Sequence, residues 1–128
     1  MTATPGRILL ADPDAWSLEA VWDLLRGAGY EVVGCTCAED AVLAILRSEH
    51  EFDVLLCDLG LEVPVAGIRE QVAAVAPGLA ERIVWLAADA DSPRAFHPLL
   101  RKPLEKEGAC ACIDGYVVHR TIAPTSER

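Results

Sequence analysis

Two rhythms of apolar and polar residues alternate along this chain. Arg7-Ile8-Leu9-Leu10-Ala11 is a short, continuous apolar run that stops at Asp12-Pro13-Asp14, the pattern of a strand buried on both faces. From Ser17 the spacing changes. Leu18, Val21, Trp22, Leu25 and Ala28 fall on one helical face, and Gly27 and Gly29 close the segment. Glu31 to Cys35 restores strand character, and Ala38 to Ser48 restores helical spacing through Ala41, Val42, Ile45 and Leu46. Phe52 to Cys57 is the most strand-like stretch. It ends on Asp58 and leads into a loop from Leu59 to Gly67 that carries Gly60 and Pro64. Ile68, Val72 and Val75 predict a third helix that ends at Pro77-Gly78, Arg82 to Ala87 a fourth strand, and Pro98 to Leu100 a short fifth. Strands alternating with helices over short connections predict an α/β fold, a doubly wound parallel sheet with helices on both faces.

Two segments break the rhythm. Between Ala88 and His97, with Pro93 inside and Pro98 just after, there is too little chain for a full crossover helix, so the fourth helix is expected to be shortened. Ala109 to His119 alternates like strands around Asp114-Gly115, a hairpin signature. The fifth helix is therefore expected to give way to a C-terminal strand or hairpin, or to shrink to Leu104 to Glu107. The 128 residues read as one domain, with a core at about 7–104 and an atypical C-terminal segment at 105–128.

Composition narrows the function classes. Hydrophobic residues make up 52% but aromatics only 5%, which suits a core of Val, Leu, Ile and Ala. A formal charge of −9 without any basic stripe opposes contact with a phosphate backbone, so nucleic acid is not an expected partner. No apolar run approaches the roughly 18 residues of a membrane span, and no secretory signal opens the chain, so a cytoplasmic protein without a membrane partner is expected. Five cysteines, including Cys35-Thr36-Cys37 and Cys110-Ala111-Cys112, read as free thiols, for the spacing is not that of a zinc knuckle. His50, His97 and His119 show no ligand spacing, no nucleophile has a placed base, and no glycine-rich phosphate loop is present, so no enzyme is indicated.

The candidate chemistry lies at the strand ends. Ligands of an open parallel sheet bind beyond the carboxyl ends of its strands, where Asp12 and Asp14 follow the first strand, Asp58 the third and Lys102 the fifth. Converging carboxylates repel unless Mg²⁺ or a lysine ammonium shares the site. Any one of these aspartates alone could simply open a turn or cap a helix. Their order and intervals together are hard to obtain from turn chemistry.

Through Ile8-Leu9-Leu10-Ala11-Asp12-Pro13-Asp14, Phe52 to Asp58 and Leu100-Arg101-Lys102-Pro103, the chain resembles the receiver domains of two-component response regulators over about Arg7 to Leu104. The resemblance implies a CheY-like sheet in the order 2-1-3-4-5, with Asp58 as phosphoacceptor. It also implies Mg²⁺ held by the acidic residues after the first strand, Asp12 and Asp14, by Asp58 and by the main-chain carbonyl of Gly60, and Lys102 paired with the phosphoryl oxygens. Pro103 would follow a cis peptide that aims the lysine inward. The chain departs from the family at Pro13, which separates the usual adjacent acids, and at Ala87, where a switch hydroxyl is usual.

The expected function is a stand-alone, atypical receiver phosphorylated on Asp58 by a histidine kinase or phosphotransfer protein and signalling to a protein effector. A homodimer through the C-terminal segment would cover a flank left bare by a missing fifth helix. The alternative is a pseudo-receiver, a phosphorylation-independent interaction or dimerisation module. A third, weaker reading is a cysteine-based metal or redox sensor.

Overall fold

The computed structural model describes residues 6–61, 67–88 and 98–122, with side chains as far as 117. In chain order the elements are β1 (Arg7–Ala11), α1 (Ala15–Gly27), β2 (Glu31–Cys35), α2 (Ala38–Arg47), β3 (Val54–Asp58), a 3-10 turn at Leu59–Leu61, α3 (Ile68–Val75), α4 (Pro77–Ala80), β4 (Ile83–Ala87), β5 (Leu99–Arg101) and α5 (Lys106–Ile122). All strand pairs are parallel, in the order β2-β1-β3-β4-β5. The crossover expected to be shortened, at 89–97, lies outside the described residues.

Alternate residues of each strand serve opposite layers, which is why the strands read as unbroken apolar runs. Leu9, Ala11, Leu55, Cys57, Ile83 and Trp85 pack with Ala41 of α2, Ile68 and Val72 of α3 and Leu79 of α4. Ile8, Leu10, Val32, Val54, Leu56, Val84 and Leu86 face the other way, toward Val21 and Leu25 of α1 and Ile113 of α5. Each fully buried aliphatic side chain is worth about 2 kcal/mol of burial. Local signals set the helix ends. Asp14 caps α1 by accepting from the Trp16 amide at 3.0 Å, and Pro77 opens α4, where a missing N–H costs nothing. Gly29, with φ of 101°, provides the left-handed turn that α1 needs to reach β2.

The expected C-terminal strand or hairpin is overturned, because α5 is a 17-residue helix. Ala109 and Ile113 are fully buried, with Tyr116 and Val117 one turn further on, so the inward residues recur at helical intervals. The local alternation Ala-Cys-Ala-Cys and the Asp-Gly pair favoured a hairpin, but burial of this face decides the outcome. The flank on which a C-terminal dimer was expected is accordingly covered by α5. The start of β1 lies tight under this helix: a Cβ on Gly6 would come within 2.6 Å of Val117 Cγ2. Tyr30, buried ahead of β2, donates its hydroxyl to Asp114 of α5. Among the described residues, no helix is long and apolar enough to cross a membrane.

Two predictions test this C-terminal helix. A Cβ at Gly115 meets nothing within 4 Å, so Gly115→Ala is expected to stabilise the protein by about 0.5–1 kcal/mol in urea unfolding. At an Asp-Gly hairpin turn the same change would destabilise. Burial, reinforced by the hydrogen bond to Asp114, raises the Tyr30 phenol well above its ordinary value. The native state thus favours the protonated phenol. This contribution is fully present below about pH 10 and is lost as the pH rises further. Tyr30→Phe is expected to cost about 1 kcal/mol at pH 8, and the gap from wild type should narrow by pH 11 in paired thermal melts.

Candidate functional site

At the carboxyl edge of the sheet the order β2-β1-β3-β4-β5 places β1 beside β3 and brings β5 to the same rim. Asp12, the first residue after β1, is 1% exposed. Its backbone N–H donates to the Cys35 carbonyl at the end of β2, 3.0 Å away, which extends the β1–β2 ladder and fixes where the side chain starts. Asp58 is the last residue of β3 and is partly open to solvent. Lys102 follows β5, where its backbone N–H donates to the Ala87 carbonyl at 2.8 Å, and the Lys102–Pro103 peptide is cis.

These three side chains meet. Lys102 Nζ donates to Asp12 Oδ2 and to Asp58 Oδ1, each at 2.6 Å. The facing carboxylate oxygens are therefore no more than about 5 Å apart, a separation at which two like charges repel by about 3 kcal/mol at an effective dielectric constant of 20. The ammonium between them reverses the sign of the local interaction. Burial alone would lower the Lys102 pKa, but the hydrogen bonds and charges of Asp12 and Asp58 outweigh it and hold the ammonium above its ordinary range. The outer oxygens are satisfied by backbone: Asp12 Oδ1 accepts from the Asp14 N–H at 2.9 Å and Asp58 Oδ2 from the Gly60 N–H at 2.8 Å. All four carboxylate oxygens thus have a donor within the chain.

Asp14 is not brought to this pair. Its carboxylate caps α1 at the surface, and only its backbone N–H reaches Asp12. The position between the two acids belongs to Pro13, whose ring lies against Gly60: a Cβ on Gly60 would be 3.5 Å from Pro13 Cγ. Ala87, at the end of β4, is 5% exposed and contributes only a methyl and the carbonyl that anchors Lys102. Trp16, in the first turn of α1, is 83% exposed and so covers little of the site. Beside Lys102, an apolar cavity of about 420 Å³ opens against Ala20, Val21, Leu24, Pro103 and Leu104.

Mg²⁺ requires hard oxygen donors in near-octahedral order. Of the sequence-predicted donors, the Asp12 and Asp58 carboxylates converge on Lys102 and Asp14 does not, while Gly60 meets Asp58 through its N–H. A pyrrolidine ring lies on the Gly60 side, and the converged carboxylates already share an ammonium. Among the described residues, no group of three or more His, Cys, Asp or Glu side chains is placed to hold a metal. Two of the expected hard donors, Asp12 and Asp58, face one another, and the Lys102 ammonium lies between them.

Sequence reasoning found the aspartates and the lysine but missed the backbone donors and acceptors: the N–H groups of Asp14 and Gly60 and the carbonyls of Cys35 and Ala87. No residue type signals a backbone contact. The position of each follows only from strand register. The cysteines stand apart from this chemistry. All five are free thiols, and burial, with smaller effects of Cys37 and Asp40, pushes the Cys35 thiol up to about 12.

No protein-family model matches this chain, and no curated protein matches it in sequence. Solved structures do. A response-regulator receiver domain from Clostridium thermocellum superposes with a TM-score of 0.73 at 19% identity, over 92% of this chain and 98% of that one. A putative response regulator from Chloroflexus aurantiacus gives 0.70 at 25% identity, over 89% and 98%. The receiver domain of a sensor histidine kinase from Pseudomonas aeruginosa, described with a magnesium ion coordinated in its active-site cleft, gives 0.69 at 20%, over 89% and 98%. The chain has the receiver-domain, CheY-like fold.

One prediction follows from the bridge. Lys102→Met leaves Asp12 buried beside a second carboxylate without a counter-charge, and is expected to cost about 3 kcal/mol in chemical denaturation. Adding Asp12→Asn should return part of that loss, giving a double-mutant coupling of about 1 kcal/mol or more.

Proposed function

We propose that this chain is a receiver module of two-component signalling that acts by binding a protein partner without phosphorylation of Asp58. The observation that carries this reading is the network at the strand ends, in which one ammonium is shared by Asp12 and Asp58 and each carboxylate oxygen accepts from Lys102 or from a backbone amide. A working phosphoacceptor site needs cationic charge on the transferring phosphoryl group and an element that reads the product. Here the lysine is already committed to two carboxylates. The acid expected beside Asp12 is replaced by Pro13, and the switch position is Ala87, which has no hydroxyl to donate.

A second reading keeps Asp58 as phosphoacceptor. It is favoured by the partial exposure of Asp58 and by Lys102 at 2.6 Å, a cation that could turn toward a phosphoryl oxygen. Under that reading a histidine kinase or phosphotransfer protein supplies the group, and Mg²⁺ would have to enter with the phosphodonor. In both readings the output is a protein contact, and Asp58 differs only in whether it changes state.

Intact-mass measurement after incubation with acetyl phosphate and Mg²⁺ separates the two. The expected result is no added phosphoryl group on wild type at any Mg²⁺ concentration, and partner binding that survives Asp58→Asn. A gain of one phosphoryl group on wild type, absent from Asp58→Asn, would establish the second reading and dismiss the first.

A further inference from the structure

The site's charge balance assigns a specific role to Lys102. We infer that its ammonium is the resident cation of this receiver, permanently filling the electrostatic place that a divalent ion would otherwise take between Asp12 and Asp58. The inference deepens the proposed function at the same site.

Three observations carry it. First, Nζ is equidistant from the two carboxylates, at 2.6 Å from an oxygen of each, so it is shared between them. A lysine serving Asp58 alone would leave Asp12, 1% exposed, as a buried charge without a cation. Second, the ammonium is held from both ends of its stem. The backbone N–H of Lys102 is bonded to Ala87, and its side chain is only 14% exposed. Third, among the described residues no other carboxylate approaches, because Asp14 is used by α1 and Pro13 occupies the intervening position. Among the described residues, two carboxylates and one ammonium leave a net charge of −1, which weakly attracts a hydrated divalent ion against a tethered competitor.

The role has a corollary. Removing the ammonium but keeping both acids should create a divalent-cation requirement that the natural chain lacks. The acids would then be a close pair of hard donors with no counter-charge, and an ion that binds the folded state and not the unfolded chain raises the melting temperature. The Pro13 ring is no bar to this weaker site, which asks only for Asp12, Asp58 and water.

The test is thermal unfolding of the full chain in 0 to 10 mM MgCl₂, at ionic strength held constant with NaCl. Wild type is expected to shift by less than about 1 °C. Lys102→Met should start lower and rise by roughly 5 °C across the series, the size expected for an ion binding at about millimolar strength. Lys102→Arg, which keeps a cation, should follow wild type. Adding Asp58→Asn to Lys102→Met should abolish the response. A wild type that rises as much as Lys102→Met would overturn the inference, as would a Lys102→Met chain that gains nothing from Mg²⁺ or stays unfolded throughout the series. Phosphorylation is read separately by mass. A wild type that takes up no phosphoryl group yet is stabilised by Mg²⁺ would reject the resident cation alone, whereas phosphoryl uptake with a flat melting series would reject the proposed function alone.

Discussion

The repulsion between two carboxylates at one end of a parallel sheet is the constraint around which this molecule is arranged. Asp12 and Asp58 leave adjacent strands, β1 and β3, at the same rim, and the register that pairs Ala11 with Cys57 makes their approach unavoidable. Lys102 answers it from β5, two strands away from β3. Its reach depends on the β4–β5 pairing, where Ala87 accepts the Lys102 N–H, and the bridge therefore connects the central strands to an edge strand only three residues long. The ion pair and the sheet order support each other.

That arrangement explains the division of labour among the acids after β1. A carboxylate can satisfy a helix terminus or face a buried cation, but Asp14 cannot do both from its place ahead of α1. As a cap it satisfies the Trp16 amide, and its own amide in turn holds Asp12. Pro13 between them has no N–H to donate and a fixed φ, so the turn is rigid at the point where a second acid would need to face inward. The displacement of the second acid to Asp14 and the stiffness of the connection come from the same residue.

Much of the fold was legible because a doubly wound sheet writes its pattern plainly. β1 and β2 fall where their apolar runs predict, and α2 and α3 follow their helical spacing to within a residue or two. The C-terminal helix was not legible. Ala109 to Ile113 alternates small and larger apolar residues with a period of two, and Asp114-Gly115 is a strong turn signal, whereas the residues that decide the matter lie elsewhere in the chain. Gly6 leaves room for Val117, Tyr30 offers a donor to Asp114, and the layer containing Ile8, Val54 and Val84 needs a cover that Ile113 supplies. Tertiary burial outweighed a local preference worth about 1 kcal/mol. At the site, the residue types announced Asp12, Asp58 and Lys102, but not the equal sharing of one ammonium, which depends on register and not on composition.

A receiver ordinarily converts a charge change at one aspartate into movement of neighbouring elements, and such a switch requires a group that is attracted to the new charge and free to move. In this chain the nearest cation is held by two acids and the switch position is a methyl. Transferring a phosphoryl group to Asp58 would therefore first have to break a bridge that also neutralises buried Asp12. The energy needed to pull Lys102 away from Asp12 opposes the very displacement that would report phosphorylation. The same interaction that stabilises the strand ends thus favours one arrangement of Lys102 over two, the physical basis of the proposed phosphorylation-independent reading.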